Sequence, residues 1–251
     1  MKIGVSRPSV TPEESHTVLA TARCYGFAGV QLKPAQYEAF VTSPATFRDH
    51  YGALADLAQG GLIVYPGSDP AKWPASLALL LPFAAAIGAG HVCLCSGVYQ
   101  TNATPEQVRE VSRQLTTIGK SAQAVGLVIS IHNHVDSLVE TEEDLVRLLQ
   151  MLDPEICGLT LDTAHAAKAG IQGVERLVRR FQSHLRNVHL KDLGSDGNFC
   201  ALGQGTVPLP PILAALRAIQ YDEWLIVDEE TPGLSTEEAL RVATEYLKDK
   251  I

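Results

Sequence analysis

Residues 159–165 read LTLDTAH: a short apolar run of strand length that stops on an aspartate and a histidine. The same construction recurs three times. Residues 129–134 read ISIHNH, residues 187–192 read NVHLKD and residues 225–230 read LIVDEE. Parallel strands in a β/α fold deliver their C-terminal ends to one rim, so ionisable residues far apart in sequence would meet there.

Working outward, strand-like runs alternate with helical patterns along the whole chain. Strands are expected over 2–5, 29–32, 62–65, 91–95, 127–131, 158–161, 186–190 and 225–227. Helix starts are marked by cap residues followed by proline or acids. Examples are Thr11-Pro12-Glu13-Glu14, Thr104-Pro105-Glu106, Thr141-Glu142-Glu143 and Ser235-Thr236-Glu237-Glu238. Further helices are expected near 44–59, 76–87, 173–182 and 209–219. Eight strand-then-helix units predict an α/β fold, a (β/α)8 TIM barrel, with residues 1–251 as one domain. No Gly-x-Gly-x-x-Gly follows the first strand, which removes the main signal of an open dinucleotide-binding sheet.

The net charge of -8 and the pI near 5.5 disfavour nucleic acid as a partner. The Arg179-Arg180 pair reads as a solvated helix face. Five cysteines at unpatterned spacings point to reduced thiols and a cytoplasmic location, with Cys93 and Cys95 as small buried side chains. No apolar run is long enough for a membrane span, since Pro82 and Gly88 interrupt the most apolar stretch, and no secretory leader is evident at the N-terminus.

At the expected strand ends, Asp162, His189 and the 132/134 histidine pair are joined by Asp228 and Glu230, which share one strand face. A lone histidine there is usually a core residue, and a lone aspartate a helix cap. Four such residues at four strand ends of one barrel favour a shared metal site built from His132, Asp162, His189 and an acid of 228–230. Mixed nitrogen and oxygen donors suit Mn, Co, Zn or Fe(II), and suit Mg less well. Lys33, Tyr65 and Ser96 end other strands and are candidates to face a substrate. His165 and Lys191 are expected to point into the same cavity, and the Gly203-Gln204-Gly205 turn, at the end of a glycine-rich loop over 194–205, reads as a flexible loop at the rim, a lid.

HNH, DTAH and HLKD in this order, followed by an acid after the eighth strand, resemble the xylose-isomerase-like TIM-barrel superfamily of sugar-phosphate isomerases and epimerases. The likeness spans nearly the whole chain. It implies one divalent metal, Mn, Co, Zn or Mg, held by four strand ends, here His132, Asp162, His189 and Asp228. It also implies a sugar or cyclitol with adjacent carbonyl and hydroxyl groups, and barrels of this sort often pair as homo-oligomers. Two positions depart from the epimerases: His132 and Asp228 stand where those enzymes carry the two proton-transferring glutamates. That counts against a two-base 3-epimerisation and brings the chain closer to the inosose-dehydratase-like branch.

The resemblance implies a metal-assisted enediolate reaction, with His132 or His134 and the strand-eight acid (Asp228 or Glu230) exchanging protons. His165, Lys191, Lys33 and Tyr65 would bind the substrate. The leading expectation is a divalent-metal-dependent isomerase or epimerase of a keto-sugar or related polyol, with an inosose-type dehydratase on the same site and a non-catalytic sugar-binding barrel as the alternatives. A multi-metal DNA-repair nuclease on the same scaffold is disfavoured by the acidic charge balance.

Overall fold

Eight parallel strands wrap into one sheet in a computed structural model that describes residues 1–96 and 103–251. In chain order they are β1 (Lys2–Ser6), β2 (Gly29–Val30), β3 (Leu62–Val64), β4 (His91–Leu94), β5 (Val128–His132), β6 (Gly158–Asp162) and β7 (Leu185–Leu190). A short antiparallel hairpin, β8 (Asp192–Leu193) and β9 (Phe199–Cys200), intervenes before the last barrel strand, β10 (Trp224–Asp228). The hydrogen-bonded order is β2-β1-β10-β7-β6-β5-β4-β3. The remaining seam is closed by Leu32, which bridges in parallel to Leu62: its N–H donates to the Gly61 carbonyl and its carbonyl accepts from Ile63, each at 2.8 Å. The fold is the TIM barrel that the alternating pattern predicts.

In β6 and β10 every residue is buried, as expected of parallel strands covered on both faces. The helices start where the sequence places its caps. Thr104, Thr141 and Ser235 each accept from the N3 amide, while the N3 side chain reaches back to the cap amide.

Two expected helices are shorter than the sequence pattern. The 44–59 helix is Pro44–Tyr51 followed by a 3-10 segment, Gly52–Gly60, because Gly52 takes a positive φ of 53°. That segment then lies so close to β2 that a Cβ on Gly60 would sit 2.6 Å from the Val30 carbonyl carbon. The 76–87 helix is split into Trp73–Leu77 and Leu80–Ala86. Pro82 has no N–H to donate to Ala78, and its ring crowds that carbonyl.

Strand register brings the motif residues together. Asp162 of β6 pairs with His189 of β7, His132 of β5 with Thr160 of β6, and Asp228 of β10 with Ser6 of β1. All five cysteines are free. Among the described residues no helix is long and apolar enough to cross a membrane.

Candidate functional site: a histidine–aspartate centre beside a lysine–carboxylate quartet

The C-terminal rim opens into a cavity. Lys33, Tyr65, Cys95, His132, His134, His165, His189, Lys191, Asp228 and Glu230 line it, together with Ile63. Of the sequence-selected residues, Lys33, Tyr65, His132, His134, His165, His189, Lys191, Asp228 and Glu230 are on the cavity wall, Ser96 is buried and does not line it, and Asp162 lies fully buried directly beneath it. Glu229 turns away: its carboxylate faces Arg7 at 3.4 Å and accepts from the Thr231 amide.

One side of the cavity gathers potential metal donors. His132, Asp162 and His189 each offer one ligand atom, all within 4.8 Å of one another. His132 Nε2 lies 3.0 Å from His189 Nδ1 and 3.4 Å from Asp162 Oδ2, and His189 Nδ1 is 3.8 Å from the same oxygen. Asp162 Oδ1 caps the following helix, accepting from the His165 amide at 2.8 Å. Its Oδ2 is buried with no hydrogen-bond partner. A buried anionic oxygen left unpaired is costly, and a cation seated among these three residues would satisfy it, so the donor set fits a divalent metal.

The strand ends are locked by two side-chain clips. Asn133 accepts from the Asp162 amide at 2.7 Å and donates to the Asp162 carbonyl at 3.1 Å, tying β5 to β6. Thr163 Oγ1 accepts from the Lys191 amide at 2.9 Å and donates to its carbonyl at 2.7 Å, tying β6 to β7. Both clips sit one residue beyond a candidate ligand in the HNH and DTAH motifs. Their signal was an extra polar residue of strand-edge type, which the sequence reading left without a role.

The other side of the cavity is a closed square of charge. Lys33 Nζ donates to Asp228 Oδ1 at 3.0 Å and to Glu230 Oε1 at 2.7 Å. Lys191 Nζ donates to Asp228 Oδ2 at 2.7 Å and to Glu230 Oε2. Burial disfavours the charge on each of these groups, but the opposite charges overcome it. Both lysines are held well above the ordinary lysine range, and Asp228 and Glu230 are held below the usual carboxylate range. Asp228 thus faces the same cavity as the three donors while both its oxygens are engaged by lysines.

Histidines form the roof. The His134 and His165 rings lie 3.9 Å apart, and Phe199 of the hairpin packs edge-on to His165 at 5.0 Å and over the Lys191 ammonium at 4.0 Å. Burial pushes His165 down to about 3 despite the nearby Asp162 charge, and burial pushes His91, beneath the site, down to about 3 as well. Unfolding frees both rings to take a proton near pH 6.5, so stability present above that pH is lost as the pH falls towards 3. At pH 5 the expected loss is about 2 kcal/mol for each histidine, checked by urea unfolding at pH 7 and pH 5; equal midpoints at both would contradict it.

The Gly203-Gln204-Gly205 turn, read from sequence as flexible, is hydrogen-bonded to Asp192. Asp192, the last residue of HLKD, accepts from the amides of Leu193 (2.9 Å), Gly203 (2.9 Å), Gly205 (3.0 Å) and Val207 (3.1 Å). A Cβ at Gly205 would collide with that carboxylate at 2.3 Å, so the glycine permits the close approach. Asp192→Asn replaces one accepting oxygen by an N–H donor facing other donors. It is expected to cost about 2 kcal/mol and to speed amide exchange at residues 203, 205 and 207. Unchanged protection of those amides would count against the clamp.

Comparison with known proteins places the fold. A family model described as xylose isomerase-like TIM barrel matches residues 19–250. The inosose dehydratase of Clostridium beijerinckii is 26% identical over 178 residues, 62% of this chain and 58% of that enzyme, so the match spans a little over half of the relative's length. Among solved structures, the probable 3-DHS dehydratase AsbF of Bacillus anthracis superposes with a TM-score of 0.74 at 15% identity, covering 100% of both chains. The IolI protein, solved with a bound zinc atom, superposes with a TM-score of 0.75 at 18% identity, covering 99% of this chain and 97% of its own. With the barrel, the rim motifs and a match over nearly its whole length, this chain belongs to the xylose isomerase-like TIM barrel family.

Proposed function

We propose that this protein is a divalent-metal-dependent dehydratase acting on a keto-cyclitol or a related keto-sugar. The observation that carries the metal reading is the buried, unpartnered Oδ2 of Asp162 beside His132 and His189. Those three residues would hold the ion, and Asp228 would join them by giving up one of its lysine contacts. The ion would supply Lewis-acid polarisation of the substrate carbonyl.

The side chains of this protein then divide the proton work. His134 donates its Nδ1–H to the Val135 carbonyl at 2.6 Å, which leaves the Nε2 lone pair free to accept a proton from the carbon beside the carbonyl. Lys33 and Lys191, held in their charged form, face the oxygen on which negative charge develops. Expulsion of the β-hydroxyl forms the C=C bond, and the proton taken by His134 returns to the departing oxygen as water. The reaction needs no oxidant or reductant. His165 and Tyr65 would contact the remaining hydroxyls.

Elimination is favoured over two-base epimerisation because both cavity carboxylates, Asp228 and Glu230, are paired with lysines. The inosose dehydratase relative supports the same choice. The test is a panel of keto-inositols and keto-sugars in D2O with Mn, Co or Zn supplied, followed by enone absorbance and by mass. Enone formation that stops on chelation is the expected result. Deuterium uptake without water loss would instead establish an isomerase or epimerase, and full turnover by chelator-stripped protein would defeat the metal role. Neither exchange nor elimination across the panel would leave a binding protein.

A further inference from the structure

Beneath the candidate metal centre the barrel interior is polar. Gln31, fully buried just before the Leu32 seam, places Oε1 2.7 Å from His189 Nε2. Its Nε2 faces His91 Nδ1 at 3.5 Å, His91 Nε2 faces Ser130 Oγ at 2.8 Å, and Ser130 Oγ faces Thr160 Oγ1 at 2.5 Å. These residues come from β4, β5, β6, β7 and the end of β2, so the chain of contacts runs around the inside of the wall.

An amide oxygen only accepts. His189 must then donate from Nε2, and the lone pair of the neutral ring sits on Nδ1. Nδ1 is the nitrogen that faces His132 Nε2 and Asp162 Oδ2. We propose that Gln31 is a positioning residue that holds His189 in the tautomer whose Nδ1 lone pair points at the His132–Asp162 centre. The inference rests on the metal reading above and adds a residue to it that touches neither metal nor substrate.

The competing tautomer explains why such a device is needed. With the proton on Nδ1, His189 would turn an N–H towards the unpartnered oxygen of Asp162 and would occupy the position that a cation requires. The Gln31 oxygen opposes that relaxation by offering Nε2–H a short, buried acceptor. In the direction His189 to Gln31, Gln31 to His91 and His91 to Ser130, every donor meets an acceptor.

The test uses 15N-labelled full-length protein, first metal-free and then titrated with Zn2+ against a chromophoric chelator. In wild type, the ring-nitrogen shifts of His189 should report a protonated Nε2 and a bare Nδ1. Gln31→Met removes the acceptor at similar volume; it should move the proton to Nδ1 and weaken Zn2+ binding about 10- to 100-fold. Gln31→Glu keeps an oxygen facing His189 and should retain the wild-type tautomer. A folded Gln31→Met protein with an unchanged tautomer or unchanged affinity overturns the inference. Should that variant not fold, the wild-type spectrum decides alone, because a protonated Nδ1 in the metal-free protein contradicts it. A wild type that takes up no Zn2+ defeats the metal reading and this role with it, whereas the tautomer shift separately reports whether Gln31 orients the ring.

Discussion

Asp162→Asn is expected to abolish metal uptake and to lower turnover by about a thousandfold, equivalent to several kcal/mol of lost stabilisation. The substitution is chosen because it isolates one oxygen. Asn is as good a helix cap as Asp, so the contact to the His165 amide can persist and the helix that follows β6 should survive. What disappears is the negative charge at Oδ2, which faces His132 and His189 and has no other partner. Without metal the variant should still fold but lose stability at neutral pH, since, in spite of burial, the histidines around Asp162 and the Lys191 charge hold its carboxyl well below the usual range. Metal content after dialysis, together with the rate on the substrate found by the panel, checks the claim. A folded variant that retains one equivalent of metal would refute the assignment of Asp162 as a ligand.

Lys191→Met should destabilise the protein by about 3 kcal/mol and cut turnover by about 10²- to 10³-fold. Lys191 is 2% exposed, and its ammonium bridges Asp228 and Glu230. Methionine fills similar volume but leaves two carboxylates to share Lys33. One of them must then be buried with like charge beside it, which raises its proton affinity. The pH dependence follows from the direction of these shifts. In wild type, Asp228 and Glu230 lie below their ordinary range. Their contribution is therefore present above about pH 4 and is lost as the pH falls below it. In the variant a carboxyl takes up its proton at higher pH, so the stability deficit should shrink as the pH is lowered from 7 towards 4. Denaturant midpoints across that range measure it. A deficit that does not change with pH would mean that Lys191 acts through packing against Phe199 and not through charge.

How much of this was legible without coordinates depends on whether the cause was local. Asp162 and His189 were readable because each ends an apolar run of strand length. Parallel strands send such ends to one rim, and the register then sets the two side by side. The choice among 228, 229 and 230 was not readable. Alternation alone puts 228 and 230 on one face, but the contact between Arg7 and Glu229, made across more than two hundred residues, shows where the middle acid goes. Gln31 carried no signal, because a glutamine in a strand-like run is equally a surface residue until the barrel closes around it. The glycines of the Gly203-Gln204-Gly205 turn misled for a related reason. Glycine marks conformational freedom, and only the position of Asp192 reveals that the freedom is used for close approach rather than motion.

By itself, then, the sequence determined the barrel, the rim on which the ionisable residues gather and the three residues, His132, Asp162 and His189, that meet there. These follow from periodicity, capping and strand polarity, which act over a few neighbouring residues. Tertiary structure alone decided which charges neutralise one another, which acid turns away from the cavity and which amide meets His189. Those outcomes depend on distances across the closed cylinder, where burial forces each polar group to find a partner from a remote strand.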